Sequence, residues 1–182
     1  MEKKQKINVT VKAPLTNPSS DKFKVVKIQR TCVHDGSGIR TTIFFAGCKL
    51  RCLWCQNPET LKINNPHSKD FSVEDIMRIV NRDKDYYTAT GGGVTLSGGE
   101  PLLQNPDLLI KLLSEIKKEK IDVVVETTLN APWETVEKVM PYIDVFFVDI
   151  KTAGDEEQHK KLTANDGRLI KENIQKREIH AA

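Results

Sequence analysis

The apolar residues of this chain fall into short runs that predict β-strands. Residues 23–30 mix valine and isoleucine with lysine, which suits a half-exposed strand, and residues 41–46 are rich in β-branched and aromatic side chains. Residues 121–127 and 143–150 are almost continuously apolar, as in strands buried on both faces. A further short strand is expected just before the glycine-rich turn 97–101.

Apolar residues at helical spacing lie between these strands. Ser72 and Asp75 approximate a capping box for a helix over residues 72–82. A second helix is expected over residues 105–118 and a third over residues 133–140. Because strands and helices alternate, the sequence predicts an α/β fold whose strands form a parallel sheet with right-handed crossovers.

Polar residues mark the carboxyl ends of these strands. They are Ser97 to Glu100, Glu126 to Thr128, and Asp149 with Lys151. Ligands bind outside the carboxyl ends of parallel strands, so these groups should converge on one face of the fold. The residues that follow strand 41–46 should join them there.

Composition and charge exclude several classes of protein. With 182 residues, 38% of them hydrophobic, and a net charge of +3, the chain suits one globular domain and carries no charge excess that demands nucleic acid. The sequence shows neither an apolar run that could span a membrane nor an N-terminal signal core, so the cytoplasm is the expected location. Residues 1–22 are lysine-rich and broken by prolines, which predicts a disordered arm before a folded domain at 23–182.

Three of the four cysteines lie in one short segment, Cys48, Cys52 and Cys55. At this C-x3-C-x2-C spacing one loop can wrap a soft metal centre, and three thiolates leave a four-iron cluster with one iron free of protein ligands. A zinc site with a fourth ligand, or reduced structural cysteines, fits the spacing equally well. The spacing alone leaves these alternatives open.

A second segment with candidate binding residues lies between the first two strands, from Asp35 to Arg40. Gly36 and Gly38 let the backbone approach a partner closely, and the carboxylate and guanidinium at either end can hold that partner by hydrogen bonds. An ordinary turn with a surface ion pair is the alternative.

Together these motifs resemble one known family. They are the cysteine loop with Trp54 before its last thiol, the turn Ser97-Gly98-Gly99-Glu100-Pro101, the loop Asp35 to Thr41, and the segment Val148-Asp149-Ile150-Lys151. From about residue 24 to about residue 172 the chain resembles the radical S-adenosylmethionine (SAM) activating enzymes of glycyl radical enzymes, the pyruvate formate-lyase activating enzyme family. The resemblance implies a partial (β/α)6 TIM-like barrel.

The resemblance also implies a set of site residues. Cys48, Cys52 and Cys55 would hold one [4Fe-4S] cluster whose open iron binds SAM. The cofactor would further be bound by Trp54, Gly98, Gly99, Glu100, Glu126, Thr127, Asp149 and Lys151. Glu126 and Thr127, with Asp149, match a monovalent-cation site. The protein substrate would be bound by Asp35, Gly36, Gly38 and Arg40.

The implied activity is that of an anaerobic oxidoreductase. It would reductively cleave SAM and abstract hydrogen from a backbone glycine of a partner glycyl radical enzyme, without a general base. A flavodoxin or ferredoxin-type electron donor and a monomeric state are expected. Alternatives are another small radical SAM enzyme, such as an anaerobic ribonucleotide reductase activase or a small-molecule modifier, or an inactive fragment that only binds a cluster.

The sequence departs from the family pattern at several positions. Cys32 is expected to be a free, buried thiol. Ser37 stands where the family has proline, Gln56 where histidine is common, and Leu129-Asn130 where a glycine is frequent. No cysteine between Cys55 and Gly91 indicates a second cluster.

The end of the sequence suggests a truncated barrel. Only four of the family's expected strand positions are recognisable, and resemblance stops after Asn173. We therefore expect that the last strands are lacking and that strand 143–150 leaves an apolar edge unpaired. Such a chain should assemble a cluster but bind or cleave SAM weakly.

Overall fold

The computed structural model describes residues 21–64, 66–153 and 155–180, with side chains to residue 176. Almost all of the predicted arm 1–22 therefore lies outside the described residues. The strands are β1 Phe23–Cys32, β2 Arg40–Phe45, β3 Lys69–Phe71, β4 Gly93–Gly98, β5 Asp122–Thr127 and β6 Val145–Val148. The helices are α1 Val73–Val80, α2 Lys84–Thr90, α3 Pro106–Lys118, α4 Trp133–Val139, α5 Glu156–Thr163 and α6 Arg168–His180.

Within the described residues the strands form one six-stranded sheet in the order β3-β1-β2-β4-β5-β6. The run β2, β4, β5 and β6 is parallel, which confirms the predicted sheet. β1 is antiparallel to both of its neighbours, because a short loop without a crossover helix joins it to β2. Neither this orientation nor the short strand β3 was predicted from the sequence. The result is the expected α/β fold, a partial barrel.

The outer face of the sheet carries the hydrophobic core. Side chains of β2, β4 and β5 on this face pack against α1, α3 and α4, and they include Ile43, Leu96, Val123 and Val125. The predicted caps are present: the Ser72 hydroxyl accepts a hydrogen bond from Asp75 N at 3.1 Å, and Asn105 Oδ1 accepts one from Asp107 N at 3.0 Å. Local sequence signals therefore placed these helices correctly.

The inner face of the parallel strands is polar. Residues that alternate with the core positions point to this side, among them Arg40 and Thr42 on β2, Thr95 on β4 and Glu126 on β5. Because a strand sends successive side chains to opposite faces, the period that builds the core also builds this polar lumen.

The segment after β6 supplies two helices, α5 and α6, that were not predicted from the sequence. Asn173 of α6 is fully buried, and its Nδ2 donates hydrogen bonds of 2.8 Å to the carbonyl oxygens of Leu129 and Ala131. This side chain anchors α6 to the loop that follows β5. No helix among the described residues is long and apolar enough to cross a membrane.

Strand β6 is an edge of the sheet in the part of the chain that the structure describes. Its side chains Val145 and Phe147, on the inner face, are 40% and 43% exposed. The apolar edge expected over residues 143–150 is thus present.

Candidate cluster and cofactor site

The cysteine loop follows β2 and is fixed from two sides by backbone hydrogen bonds. Cys48 N donates to Leu61 O at 3.2 Å, just after the short 3-10 helix Pro58–Thr60. On the other side, Arg51 N donates to Thr163 O at 2.7 Å and Leu53 N donates to Leu162 O at 3.1 Å. The last turn of α5 therefore braces the loop with carbonyl groups that have no partner inside the helix.

The brace itself depends on a buried histidine that the sequence reasoning missed. His159 lies on α5, and its Nδ1 is 2.6 Å from Asn165 O and 3.0 Å from the Thr163 hydroxyl. These contacts fix the end of α5 at the residues that accept from the cysteine loop. One apolar-facing histidine in an otherwise polar helix gives no sequence signal that distinguishes this role.

All three thiols of the loop are free and line one cavity of about 270 Å³. Among the described residues, no three His, Cys, Asp or Glu side chains converge tightly enough to hold a single metal ion. The three cysteines instead line a cavity that they share with the polar strand ends. This donor set fits a cluster that takes three thiolates and leaves one iron available to a further ligand.

Burial favours the protonated form of two of these thiols, Cys48 and Cys52, when no metal is bound. It raises the pKa of Cys48 to about 12, and the nearby Glu100 carboxylate adds to the effect. Burial also raises the pKa of Cys52, against the opposing charge of Lys151. Since a metal binds the thiolate, loading this site with iron releases protons and becomes more favourable as the pH rises.

The opposite wall of the cavity is built from the carboxyl ends of successive parallel strands. It contains Ser97, Gly98 and Gly99 at the end of β4, Glu126, Thr127 and Thr128 at the end of β5, and Asp149 and Lys151 after β6. Trp54 also lines the cavity and is 47% exposed. The convergence expected from the strand-end pattern is therefore observed. Five further lining residues carried no sequence signal: Leu50, Gln56, Asn57, Thr60 and Leu61.

The two glycines of the Ser97-to-Pro101 turn are required by its contact with the cysteine loop. Gly98 has φ of +98°, and a Cβ there would lie 2.7 Å from the backbone of Phe45. A Cβ on Gly99 would lie 2.3 Å from Gly47 O. Gly99 N and Glu100 N donate to Phe45 O and Gly47 O at 2.9 and 2.8 Å. The turn thus packs backbone to backbone on the start of the cysteine loop.

Glu100 is placed differently from the sequence expectation. Its side chain is 1% exposed and does not line the cavity. One carboxylate oxygen accepts from the Thr127 hydroxyl and from Leu102 N, and the other accepts from both the amide and the hydroxyl of Thr128. Burial raises the pKa of Glu100, and these four donors oppose that shift. Three of the four bonds join the turn after β4 to the end of β5, so this carboxylate holds the strand ends together here, and its role as a cofactor acceptor stays a prediction.

Glu126, unlike Glu100, lines the cavity. Its Oε2 accepts a hydrogen bond from the Ser97 hydroxyl. Burial raises the pKa of Glu126, and the negative charges of Asp35 and Asp149 raise it further. Three carboxylates from distant parts of the sequence therefore act on one another around this space.

Lys151 supplies positive charge on the same side, in an ion pair with Asp149. Burial opposes its protonation, but the hydrogen bond to Asp149 and the nearby thiols outweigh burial and raise the pKa of Lys151. The cavity thus offers both acceptors for an ammonium group and a fixed cation beside the thiols.

The predicted substrate loop lies on the inner face of the sheet. Asp35 Oδ2 accepts a hydrogen bond from the Thr42 hydroxyl at 2.6 Å, and Asp35 O accepts one from the Thr95 hydroxyl at 2.7 Å. Asp35 is half-buried and contributes to the electrostatic field at Glu126. The loop and the cavity therefore share the lumen of the partial barrel.

Arg40 is also placed differently from the sequence expectation. It was predicted to contact a substrate, but its side chain is completely buried and its hydrogen-bond partners lie inside the protein. In this structure Arg40 therefore has no exposed surface for a partner, and its role in substrate binding stays a prediction.

Two departures from the family pattern have structural outcomes. Cys32 is buried and free, as predicted, and its thiol lies 3.6 Å from Gln29 O. Leu129 has φ of +59°. A left-handed conformation is costly for leucine and free of strain for glycine, so the glycine expected at this position from the family resemblance would relieve the strain.

Comparison with known proteins first defines the class. The family model described as a 4Fe-4S single cluster domain matches residues 34–169, most of the chain. Among solved structures, QueE from Escherichia coli superposes with a TM-score of 0.51 at 18% identity, over 63% of this chain and 56% of that one. This likeness supports the fold alone.

Curated relatives then give the particular family. The (2S)-3-sulfopropanediol dehydratase activating enzyme of Klebsiella oxytoca is 34% identical over an alignment 219 positions long, gaps included, which covers 85% of this chain and 68% of the relative. The trans-4-hydroxy-L-proline dehydratase activating enzyme of Clostridioides difficile is 29% identical, with coverage of 82% and 67%. The pyruvate formate-lyase-activating enzyme of Staphylococcus aureus is 39% identical, with coverage of 71% and 53%. The chain belongs to the radical SAM family of glycyl radical enzyme activating enzymes and spans between 53% and 68% of the length of these relatives.

Proposed function

We propose that this chain is a radical SAM activase that generates a glycyl radical on a partner enzyme. One observation carries the proposal: three free thiols and the polar ends of three parallel strands line a single cavity, and the Asp35 loop shares its lumen. A site that only stored a metal would need the thiols alone. The additional carboxylates and the lysine provide for a polar organic cofactor beside the metal.

Cys48, Cys52 and Cys55 would hold the [4Fe-4S] cluster. When bound, the reduced cluster would supply one electron for cleavage of a carbon–sulfur bond of SAM, and SAM would supply the group that accepts one hydrogen atom from the glycine. Reducing equivalents come from a flavodoxin or ferredoxin-type donor. The chain's own groups bind and orient the reactants and exclude water.

The strand ends would hold SAM. The backbone of Gly98 and Gly99 and the Glu126 carboxylate present acceptors to its ammonium group, while Lys151 presents a cation to its carboxylate. Trp54 forms an apolar wall. Glu126, Thr127 and Asp149 also present oxygen atoms for a monovalent cation, the ligand type such ions prefer.

The substrate would enter from the side of the Asp35 loop. Asp35 is half-buried and acts electrostatically on Glu126, and the absence of side chains at Gly36 and Gly38 lets the loop backbone pack directly on Arg40 and Gly92. This packing would give the loop a fixed surface on which a glycine of the partner could approach the cofactor. The cytoplasm, anaerobic conditions and a monomeric state complete the proposal.

Anaerobic reconstitution tests the proposal. Iron and sulfide content, 5′-deoxyadenosine release with dithionite, and the electron paramagnetic resonance signal of a glycyl radical should be measured. Three separate partners suit the last assay: pyruvate formate-lyase, (2S)-3-sulfopropanediol dehydratase and trans-4-hydroxy-L-proline dehydratase, the enzymes for which the relatives are named. We expect cluster formation, cofactor cleavage and a radical on one of them.

The thiols provide matched controls. Cys48→Ala, Cys52→Ala and Cys55→Ala should each lose the cluster, whereas Cys32→Ala should keep it, because Cys32 lies outside the cavity. Stoichiometric zinc without sulfide would refute the enzyme. Cleavage of SAM without a radical on any of the three partners would contradict the protein-substrate assignment.

A further inference from the structure

Arg40 is a fully buried cation whose N–H groups donate to acceptors in three parts of the protein. Its Nε donates to the Thr95 hydroxyl at 2.7 Å, and its Nη2 donates to Val94 O at 2.9 Å. Nη2 also forms an ion pair of 2.7 Å with Asp122. Nη1 donates to Ser37 O at 3.1 Å. One guanidinium thus joins β4, β5 and the loop before β2.

The loop lies directly on this side chain. A Cβ on Gly36 would lie 2.9 Å from Arg40 Cδ and 3.3 Å from a methyl group of Val124. Glycine at this position therefore lets the backbone rest on the arginine stem. Any outward movement of the guanidinium would displace Gly36 and Ser37 with it.

The other end of the loop is held by the segment Thr90–Gly93, which leads into β4. Ile39 N donates to the Thr90 hydroxyl at 2.9 Å. A Cβ on Gly92 would lie 1.9 Å from Ile39 O, and a Cβ on Gly38 would lie 2.5 Å from Gly92 N. This close backbone contact leaves the Asp35-to-Gly38 segment little freedom once Arg40 is in place.

We propose that Arg40 and Asp122 are positioning residues that set the conformation of the Asp35–Gly38 loop toward the protein substrate. This inference rests on the proposed function. The guanidinium carries this role through its planar fork, which reaches Asp122, Thr95 and Ser37 at once. A lysine at position 40 keeps the charge but offers one point of donation, so it cannot hold all three.

The position of Arg40 separates this role from cofactor binding. Arg40, Gly93 and Asp122 are the first residues of β2, β4 and β5, whereas the cavity lies at the opposite ends of those strands. Six residues of strand place the two ends about 16 Å apart. Loss of the Arg40 contacts should therefore disturb the loop and spare the thiols and strand ends.

The test uses the full chain with Arg40→Lys and Asp122→Asn. Arg30→Lys is the matched control, because Arg30 pairs bidentately with buried Asp83 on the helix-covered side of the sheet. In cluster-free protein, hydrogen exchange of the amides of residues 36–39 should speed up about tenfold or more in Arg40→Lys and Asp122→Asn. The same amides should exchange at the wild-type rate in Arg30→Lys.

Activity provides the second arm. In the reconstituted protein both test variants should lower the rate of glycyl radical formation by about tenfold or more, because a displaced loop misaligns the glycine. Release of 5′-deoxyadenosine with dithionite should stay within about twofold of wild type. Unchanged loop exchange in both variants, or equal losses of cofactor cleavage and radical formation, would overturn the proposal. If wild type forms no radical on any partner, the proposed function fails, and the exchange arm still decides the role of Arg40.

Discussion

The Glu100 carboxylate accepts a 3.0 Å hydrogen bond from the backbone amide of Thr128. Through this bond the turn after β4 is fixed to the end of β5, and Thr128 lines the cavity whereas Glu100 does not. Unlike Glu100, the Glu126 side chain, two residues before Thr128, faces the cavity. Two glutamates of the same site therefore do different work, one holding the strands and the other facing the cofactor space.

Replacing each glutamate by glutamine should separate these roles. Glu100→Gln turns one acceptor oxygen into a donor that faces other donors, so it should lower the free energy of unfolding by about 2–3 kcal/mol. Glu126→Gln should change that free energy by no more than about 0.5 kcal/mol but weaken SAM binding about tenfold. Urea unfolding and calorimetric titration of SAM measure the two effects. Equal losses of stability would contradict the assignment.

The glycines of two turns should differ sharply in their tolerance of alanine. In Gly99→Ala the new Cβ would lie 2.3 Å from Gly47 O, so the turn must separate from the cysteine loop. We expect a loss of about 3 kcal/mol in unfolding free energy, together with a loss of cluster binding.

Gly91→Ala is the control for that substitution. Gly91 has φ of +67°, but nothing lies within 4 Å of a Cβ placed on it. Only the backbone strain of about 1 kcal/mol should appear. A mild Gly99→Ala variant that keeps its cluster would show that the turn does not need this close contact.

Asp83 should make the stability depend on pH. Burial favours its neutral form, but hydrogen bonds from Arg30 and Thr41 outweigh burial and hold the pKa of Asp83 below its ordinary value of 3.8. Its contribution is therefore fully present above that value and is lost as the pH falls through the lower folded pKa. Asp83→Asn should cost about 2 kcal/mol at neutral pH and less near pH 3, where the loss of the contribution has begun, measured by urea unfolding.

Asp85→Asn is the matched control for Asp83→Asn. Asp85 is exposed in the first turn of α2, and its replacement should change the unfolding free energy by no more than about 0.5 kcal/mol at either pH. A loss for Asp83→Asn that is the same at both pH values would argue against an ionised Asp83.

The residue that ends α5 should be improved by glycine. Ala164 is exposed and has φ of +56° at the helix C-cap, a conformation that penalises a Cβ. Ala164→Gly should raise the unfolding free energy by about 0.5–1 kcal/mol. The same change at exposed Ala89 in α2 should lower it by a similar amount, because glycine there weakens a helix. Thermal unfolding compares the two, and a shift of the same sign in both would refute the expectation.

Local pattern accounts for much of this protein. Periodicity identified the parallel strands and the helices α1, α3 and α4, because burial of one face leaves its period in the sequence. Polar residues at strand ends predicted which groups share the cavity, since parallel strands present those ends together. The spacing of Cys48, Cys52 and Cys55 indicated a common metal site, while the resemblance of several ordered motifs chose among the metals.

The remaining features were decided by contacts between distant segments. Arg40 and Glu100 look like ligand-binding residues in the sequence, yet both are buried and bonded within the protein. The carbonyls of α5 brace the cysteine loop across more than one hundred residues of chain. A sequence records which side chains are polar and how they are spaced, whereas burial and the choice of partner depend on which other segments pack against them. For this reason the sequence by itself determined the chemical groups of the site. Only the tertiary structure determined which of these groups line the cavity and which hold the surrounding segments together.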